Sequence, residues 1–390
     1  MRLTNHSVVT EERENLVSTS ETITIRGAVL ERSGESAPYA ESKPLVISEM
    51  QLTGPSEGEV LVKITASGLC HSDLSVVNNN RPRPLPMLIG HESAGVIESV
   101  GTGVNGFEVG DNVVMTFLPR CGKCDGCKSN GKIPCEVGSK TNTDGTLING
   151  TRHITRDGEI IQHHLGVSGF ATYAVVSEKS IVKIGKDVPS DIAAIFGCAI
   201  LTGGGAVLNE INPKPEDTIA VVGLGGVGMS AIITAAALGV REIVGIDMQA
   251  EKCAKAIELG ANTAMTPEEA ETSGKRFSAV VEAAGHPNAL ETAYKLTAPG
   301  GLTVTVGLPA PGSSITLDPL IMTSEARRIH GSYLGSSVPS KDIPVYEQLW
   351  REGKLNVDGL ISSHIHLEDI NEAMDNLASG EALRQIITFD

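Results

Sequence analysis

Between Ile23 and Val114 apolar positions alternate with polar ones over short stretches, ITIRGAVL, VLVKITA, AGVIESVG and DNVVMTF, broken by Gly, Pro and Asn. Side chains on a strand point alternately to its two faces, so this period of two predicts half-buried strands and a compact β-rich module. Residues 136–168 form a long polar, Gly-rich excursion, of a length that usually carries function or an interface. FATYAVV and SIVKI then return to strand. After about Asp191 continuous apolar runs (TIAVVGLG, EIVGID, SAVVEAAG, GLTVTVGL) alternate with helical stretches (MSAIITAAALG, AEKCAKAIELG, ALETAYKL). Strands apolar along their whole length, separated by amphipathic helices, predict a parallel sheet covered on both faces. From Pro344 the chain is helical again and ends in LRQIITF, a strand suited to rejoin the first module.

Composition narrows the function classes. A chain of 390 residues exceeds one ordinary core, so two domains are expected. A formal net charge of −16 repels phosphodiester backbones and anionic lipid, and neither nucleic acid nor membrane is an expected partner. No apolar run is expected to approach the roughly 20 residues that span a bilayer. Residues 1–22 are polar, without the apolar core of a signal peptide, and read as a flexible arm on a cytoplasmic protein. Seven cysteines, an odd number and clustered, argue for metal ligation or catalysis rather than a disulfide framework.

The strand TIAVV runs directly into Gly223-Leu-Gly225-Gly-Val-Gly228, and an Ala-rich helix follows. Gly223 permits the tight turn, Gly225 admits the backbone to a pyrophosphate, and Gly228 lets helix and strand pack closely. The helix N-terminus adds free N–H groups and the positive end of its dipole. The next strand ends in Asp247, an acid placed to accept hydrogen bonds from adenosine ribose hydroxyls and to repel a 2′-phosphate, so NAD is expected over NADP. A simple strand-end cap is the plainer role for Asp247. Lys252 is either a ribose contact or a solvated helix residue.

Cys121-x2-Cys124-x2-Cys127-x7-Cys135 supplies four thiolates within one loop, suited to a closed tetrahedral zinc that fixes the loop. An iron–sulfur cluster also takes four cysteines. Cys70, His91 and Cys198, from three separated segments, match the ligand set of a catalytic zinc whose fourth place stays open. Each alone could equally be a packed core residue. Asp73 and Glu92 adjoin these residues and could orient the imidazole or tune the metal. Cys253, far from both groups in sequence, reads as packing.

Taken in order, GLCHSDL, LIGHESAGVIESVG, CGKCDGCKSNGKIPC, GCAILTG, VVGLGGVG and IVGIDMQAEK closely resemble the motifs of the zinc-dependent, medium-chain alcohol dehydrogenases. The likeness spans residues 25–390. It implies an α/β protein: a GroES-like β-rich catalytic domain, 23–199 and 335–390, interrupted by a Rossmann doubly wound parallel-sheet domain, 200–334. It implies two zinc ions per chain, catalytic at Cys70, His91 and Cys198 and structural at Cys121, Cys124, Cys127 and Cys135. The cofactor is NAD(H), held by Gly223, Gly225, Gly226, Val227, Gly228, Asp247, Lys252, His71, Thr202 and Arg384, the last at the phosphates. Ser72 becomes the hydroxyl that receives the substrate proton, and Phe117 falls where the family lines its alcohol pocket. The implied reaction is reversible hydride transfer between NAD and a small alcohol bound to zinc as alkoxide, giving an aldehyde or ketone. The 136–168 segment resembles that of the dimeric, longer-loop branch, so a homodimer is expected.

Two departures stand out. The family's usual relay histidine is here Ser75, which leaves the outer end of the proton path open. NNNRPRPLP lacks the acid, and EVGSKTN the Arg, of relatives that oxidise the formaldehyde–glutathione adduct. Another thiol-adduct formaldehyde dehydrogenase remains an alternative. From a different class, so does a non-catalytic NAD- and zinc-binding protein that kept the fold without the chemistry.

Overall fold

The computed structural model describes residues 21–389, and most of the arm expected over 1–22 lies outside them. Thr22 itself already belongs to a strand, Thr22–Leu30, paired antiparallel with Leu45–Thr53 from Thr22↔Thr53 onward, so the ordered fold begins inside the stretch expected to be arm.

Two sheets build the β-rich half. The first closes into a barrel in the order Thr22–Leu30, Leu45–Thr53, Ile154–Arg156, Glu159–His163 and Met87–Leu88. Residues 136–168 are therefore structured: Glu136–Asp144 is a helix, and the hairpin after it supplies two barrel strands. Their polar residues hid this, because ligands inside the fold satisfy them. Glu59, fully buried, accepts hydrogen bonds from Asn149 Nδ2 at 2.8 Å and Thr151 Oγ1 at 2.5 Å, with His153 Nε2 at 2.8 Å from its other oxygen.

The second sheet has seven strands. Its path runs Ile181–Lys183, Asn112–Met115, Glu92–Val100, Glu59–Gly68, Arg384–Thr388 and Ile361–Ile365, with Tyr173–Ser177 also on Glu59–Gly68. The C-terminal strand thus rejoins the first module as its apolar pattern requires. Register then does the positioning. Gly68 faces Glu92 on one side and Ile386 on the other, so Cys70, Glu92 and Arg384 converge at one end of three adjacent strands.

The third sheet is parallel throughout, in the order Thr263–Met265, Glu242–Ile246, Thr218–Val222, Phe277–Glu282, Thr297–Thr305, Arg328–Gly331. This is the doubly wound order, with a topological switch beside Thr218–Val222, where a crevice opens at the carboxyl ends of the strands.

Ser190–Ile211 is continuous helix and links the halves. Its mean hydropathy is 1.8, long and apolar enough to cross a membrane, contrary to the expectation that no such run exists. Here 89% of the apolar window is buried inside the protein, which accounts for its apolarity without a bilayer. From Phe196 the helix widens into π-helical turns, a distortion common at functional sites. At Gly203 a Cβ would come within 1.9 Å of the Val227 carbonyl, so glycine is what allows this helix to lie against the Gly226–Ala237 helix.

Candidate functional site

The helix His71–Val77 begins where the strand Glu59–Gly68 leaves the sheet, with Cys70 as its N-cap. Asp73 closes this cap by accepting the Cys70 backbone N–H on Oδ2 at 3.1 Å. Its Oδ1 lies 2.8 Å from His91 Nδ1, so one carboxylate shapes the helix start and orients the imidazole. His91 Nε2 is buried and has no hydrogen-bond partner among the described residues. Donor atoms of Cys70, His91, Glu92 and Cys198 all lie within 4.8 Å of one another.

An orphaned imidazole nitrogen facing two thiols in a buried site is the donor set that suits a divalent cation such as zinc. The protonation pattern agrees. A hydrogen bond from Cys198 holds the Cys70 thiol well below its ordinary range, while the Cys70 sulfur drives Cys198 well above it. Two thiols so close cannot both ionise without a cation between them. Burial pushes Glu92 up to about 7 against the pull of Arg384, whose Nε stands 3.2 Å from Glu92 Oε1.

The four clustered cysteines meet a sharper geometric test. Sulfurs about 2.3 Å from one tetrahedral centre are about 3.8 Å apart. Cys121 and Cys127 are separated by 3.8 Å, as are Cys124 and Cys135, and all four sulfurs lie within 4.8 Å of one another. A single ion fits; a cage of several irons and sulfides would hold the thiolates farther apart. Backbone N–H contact from Lys123 brings Cys121 down to about 6, whereas burial sends Cys127 up to about 12. Arg120 ties this lobe together by donating to the carbonyls of Gly126 and Cys127. Lys132 fastens it to Glu210 at 3.0 Å.

At the crevice, Gly223 adopts φ +91°, and a Cβ on Gly228 would stand 1.9 Å from the Gly223 carbonyl. Gly225 meets nothing within 4 Å, so the space before it is free for a ligand. Asp247 caps this turn, accepting from Leu224 N at 2.8 Å and Gln249 N at 3.0 Å, and still faces the cavity. The cap role is thus met, and the side chain remains on the cavity wall. Arg384 packs over Gly226, where a Cβ would meet its guanidinium at 2.4 Å. Cys253 is half-buried against the core, away from both metal candidates.

One cavity of about 300 Å³ joins these parts. Cys70, Cys198, Ser72 and Phe117 line its metal side; Gly223, Gly225, Gly226, Val227 and Asp247 line the other, with His71, Thr202, Lys252 and Arg384 between. Ser75 also lines it, but its hydroxyl donates to the His71 carbonyl at 2.8 Å.

Several residues in or behind the cavity wall escaped sequence reasoning. Tyr333 packs edge-on to Phe117 at 5.8 Å, and Phe117 edge-on to His91 at 5.6 Å. His164, fully buried, stands edge-on to His91 at 5.6 Å, with Nδ1 3.4 Å from Asp73 Oδ1. Arg81 reaches across to the Leu308 carbonyl at 3.1 Å. In NNNRPRPLP the sequence offers only the absence of an acid, and the Tyr333 segment carries no recognisable motif.

The family model for the alcohol dehydrogenase GroES-like domain matches residues 56–186, and that for zinc-binding dehydrogenase matches residues 226–352. An alcohol dehydrogenase zinc-binding domain protein from Burkholderia ambifaria is 31% identical, with 95% of this chain and 100% of that chain covered and a TM-score of 0.88. Benzyl alcohol dehydrogenase from Acinetobacter calcoaceticus is 29% identical over 94% of this chain and 100% of its own, at a TM-score of 0.86. A thermostable alcohol dehydrogenase from Pyrobaculum aerophilum shares 25% identity, with 94% and 100% covered and a TM-score of 0.77. With its GroES-like and Rossmann-like halves, the chain belongs to the zinc-dependent, medium-chain alcohol dehydrogenase family and is an oxidoreductase acting on small molecules.

Proposed function

We propose that this protein is an NAD-dependent alcohol dehydrogenase that binds two zinc ions per chain, interconverting an alcohol and its aldehyde or ketone. What carries the reading is the unpartnered Nε2 of His91 facing Cys70 and Cys198, beside a cavity that runs on to the glycine turn and Asp247. Cys70, His91 and Cys198 would hold the catalytic zinc, and Cys121, Cys124, Cys127 and Cys135 the structural one. When bound, zinc polarises a substrate oxygen and NAD exchanges the hydride.

The chain's own residues do the rest. Asp73 fixes the His91 tautomer, with the proton on Nδ1 and Nε2 left to ligate. Ser72 Oγ would take the hydroxyl proton of the substrate while passing its own outward, toward the ribose of a bound NAD. Ser75 does not extend the path by donation, because its proton is committed to the His71 carbonyl. Phe117 and Tyr333 wall the metal side of the cavity against water. Gly225, Gly226, Val227 and the helix start receive the pyrophosphate, assisted by His71 and Arg384. Thr202 and Lys252 border the same ligand, and Asp247 selects NAD by repelling a 2′-phosphate.

The same reading divides the chain into a catalytic domain, 23–199 with 335–390, and a cofactor domain, 200–334. It makes the protein a homodimer in the cytoplasm, where its seven free cysteines stay reduced. Purified protein given NAD and a panel of primary and secondary alcohols, benzyl alcohol among them, should form NADH, with far less NADPH from NADP. Protein carrying both metals that reduces NAD with no alcohol, and oxidises NADH with no aldehyde or ketone, would refute the proposal.

A further inference from the structure

Resting on that reading, a second feature of the cavity bears on which alcohol enters it. Arg81 lines the same cavity as Phe117, Cys198 and Tyr333. Its one side-chain hydrogen bond among the described residues goes to the Leu308 carbonyl, and a guanidinium has further donors to place. Arg83 is part-buried outside the cavity lining, and its Nε has no hydrogen-bond partner among the described residues. Neither arginine has a carboxylate in ion-pair contact among the described residues, whereas Arg384, the buried cation on the cofactor side, is paired with Glu92.

The two guanidiniums act on one place. Burial, and then repulsion by Arg81, lower the affinity of Arg83 for its proton, while both arginines oppose the upward push of burial on the Tyr333 phenol. Tyr333 packs edge-on to Phe117, and Phe117 edge-on to His91, which sets the phenol on the metal side of the cavity. Pro82 and Pro84 fix φ on either side of Arg83 and hold the segment extended, so the charges are presented by a stiff loop. Two like charges, part-desolvated and without counterions in a protein of net charge −16, are a binding site for an anion.

We propose that Arg81 binds the anionic tail of the substrate, with Arg83 behind it adding to the positive potential, so that this enzyme acts on alcohols or aldehydes carrying a carboxylate or phosphate at the end remote from the reacting carbon. A planar guanidinium suits either group through paired N–H donors. The reacting oxygen would lie toward Cys198, with the body of the substrate between Phe117 and Tyr333.

The test compares para-(hydroxymethyl)benzoate, its methyl ester, para-(hydroxymethyl)phenyl phosphate and benzyl alcohol as substrates of the zinc-loaded wild type, Arg81→Leu, Arg81→Lys and Arg81→Leu/Arg83→Leu proteins. Loss of a charge-assisted contact should lower the anion-to-ester ratio of kcat/KM by about 10- to 100-fold in the Leu variants, with partial recovery in Arg81→Lys. The carboxylate and phosphate arms show which tail is preferred. An ester oxidised as well as the carboxylate and phosphate by wild type would overturn the inference while leaving the proposed function standing. So would Leu variants that lose activity on all alcohols equally and raise the KM for NAD, which would make Arg81 a latch onto Leu308. Titration of benzoate and benzamide into NADH-loaded protein gives a readout without turnover. Arginine-dependent preference for benzoate supports the anion site even if no alcohol is oxidised, and equal binding contradicts it.

Discussion

His91 Nδ1 lies 2.8 Å from Asp73 Oδ1, and both residues are fully buried. That pairing leaves Nε2 as the only free ring nitrogen and points it at Cys70 and Cys198. Replacing the carboxylate by an amide weakens the tautomer lock and the cap on Cys70. Asp73→Asn should therefore lose about 10- to 100-fold in zinc affinity at this site. Zinc retained against a graded chelator checks this; the ion in the cysteine cluster should resist as in the wild type.

Asp247 serves both its own turn and the cavity. Asp247→Ala removes the acceptor expected to meet the ribose hydroxyls and the negative charge that disfavours a 2′-phosphate. The kcat/KM for NAD should fall by about tenfold or more while that for NADP rises. Unchanged discrimination between the two cofactors would leave Asp247 as a cap only.

The Cys121–Cys135 lobe is tied together by Arg120 and pinned to the rest of the molecule by Lys132. Cys124→Ser should release one zinc of two and lower stability by more than about 2 kcal/mol, because metal binding and folding of such a loop are one equilibrium. Metal analysis with thermal melting reads both effects. Full metal content in the variant would remove the cluster from the structural role.

Acid should unfold the protein by way of the 149–163 segment. Burial opposes ionisation of Glu59, but hydrogen bonds from His153, Thr151 and Asn149 bring its carboxyl down to about 2. A carboxyl below its ordinary 4.5 contributes stability that is present above that pH and is lost as the pH falls toward 2. Burial, and then His153, lower His163 to about 3, so the fold keeps it neutral and loses stability as the pH drops below 6.5, where the unfolded chain takes up a proton. Melting temperature should fall from pH 7 to 4, more shallowly in His163→Phe. Glu59→Gln should cost about 2 kcal/mol at pH 7 and less at low pH. A melting temperature that is flat over this range would contradict the assignment.

Sequence reasoning reached furthest where chemistry is local. Gly223 to Gly228 sit between a strand and a helix, and the four cysteines between tight turns, so spacing alone exposes them. It also separated the two halves, since period-two and continuous apolar strands differ on sight. It failed on Ser190–Ile211, whose apolar run was missed, and on 136–168, whose polar residues are anchored by Glu59 from a distant strand. Arg81, His164 and Tyr333 were unreadable for the same reason: each acquires meaning only through contacts made across the fold.

The central claim is that a zinc ion held by Cys70, His91 and Cys198 is required for alcohol-dependent reduction of NAD. The most direct test measures zinc per chain and NADH formation in the same preparations of wild type and His91→Ala. Two zinc with activity in the wild type, and one zinc with activity lost by at least about a thousandfold in the folded variant, is the predicted result. A folded His91→Ala protein with one zinc and the wild-type rate would contradict it.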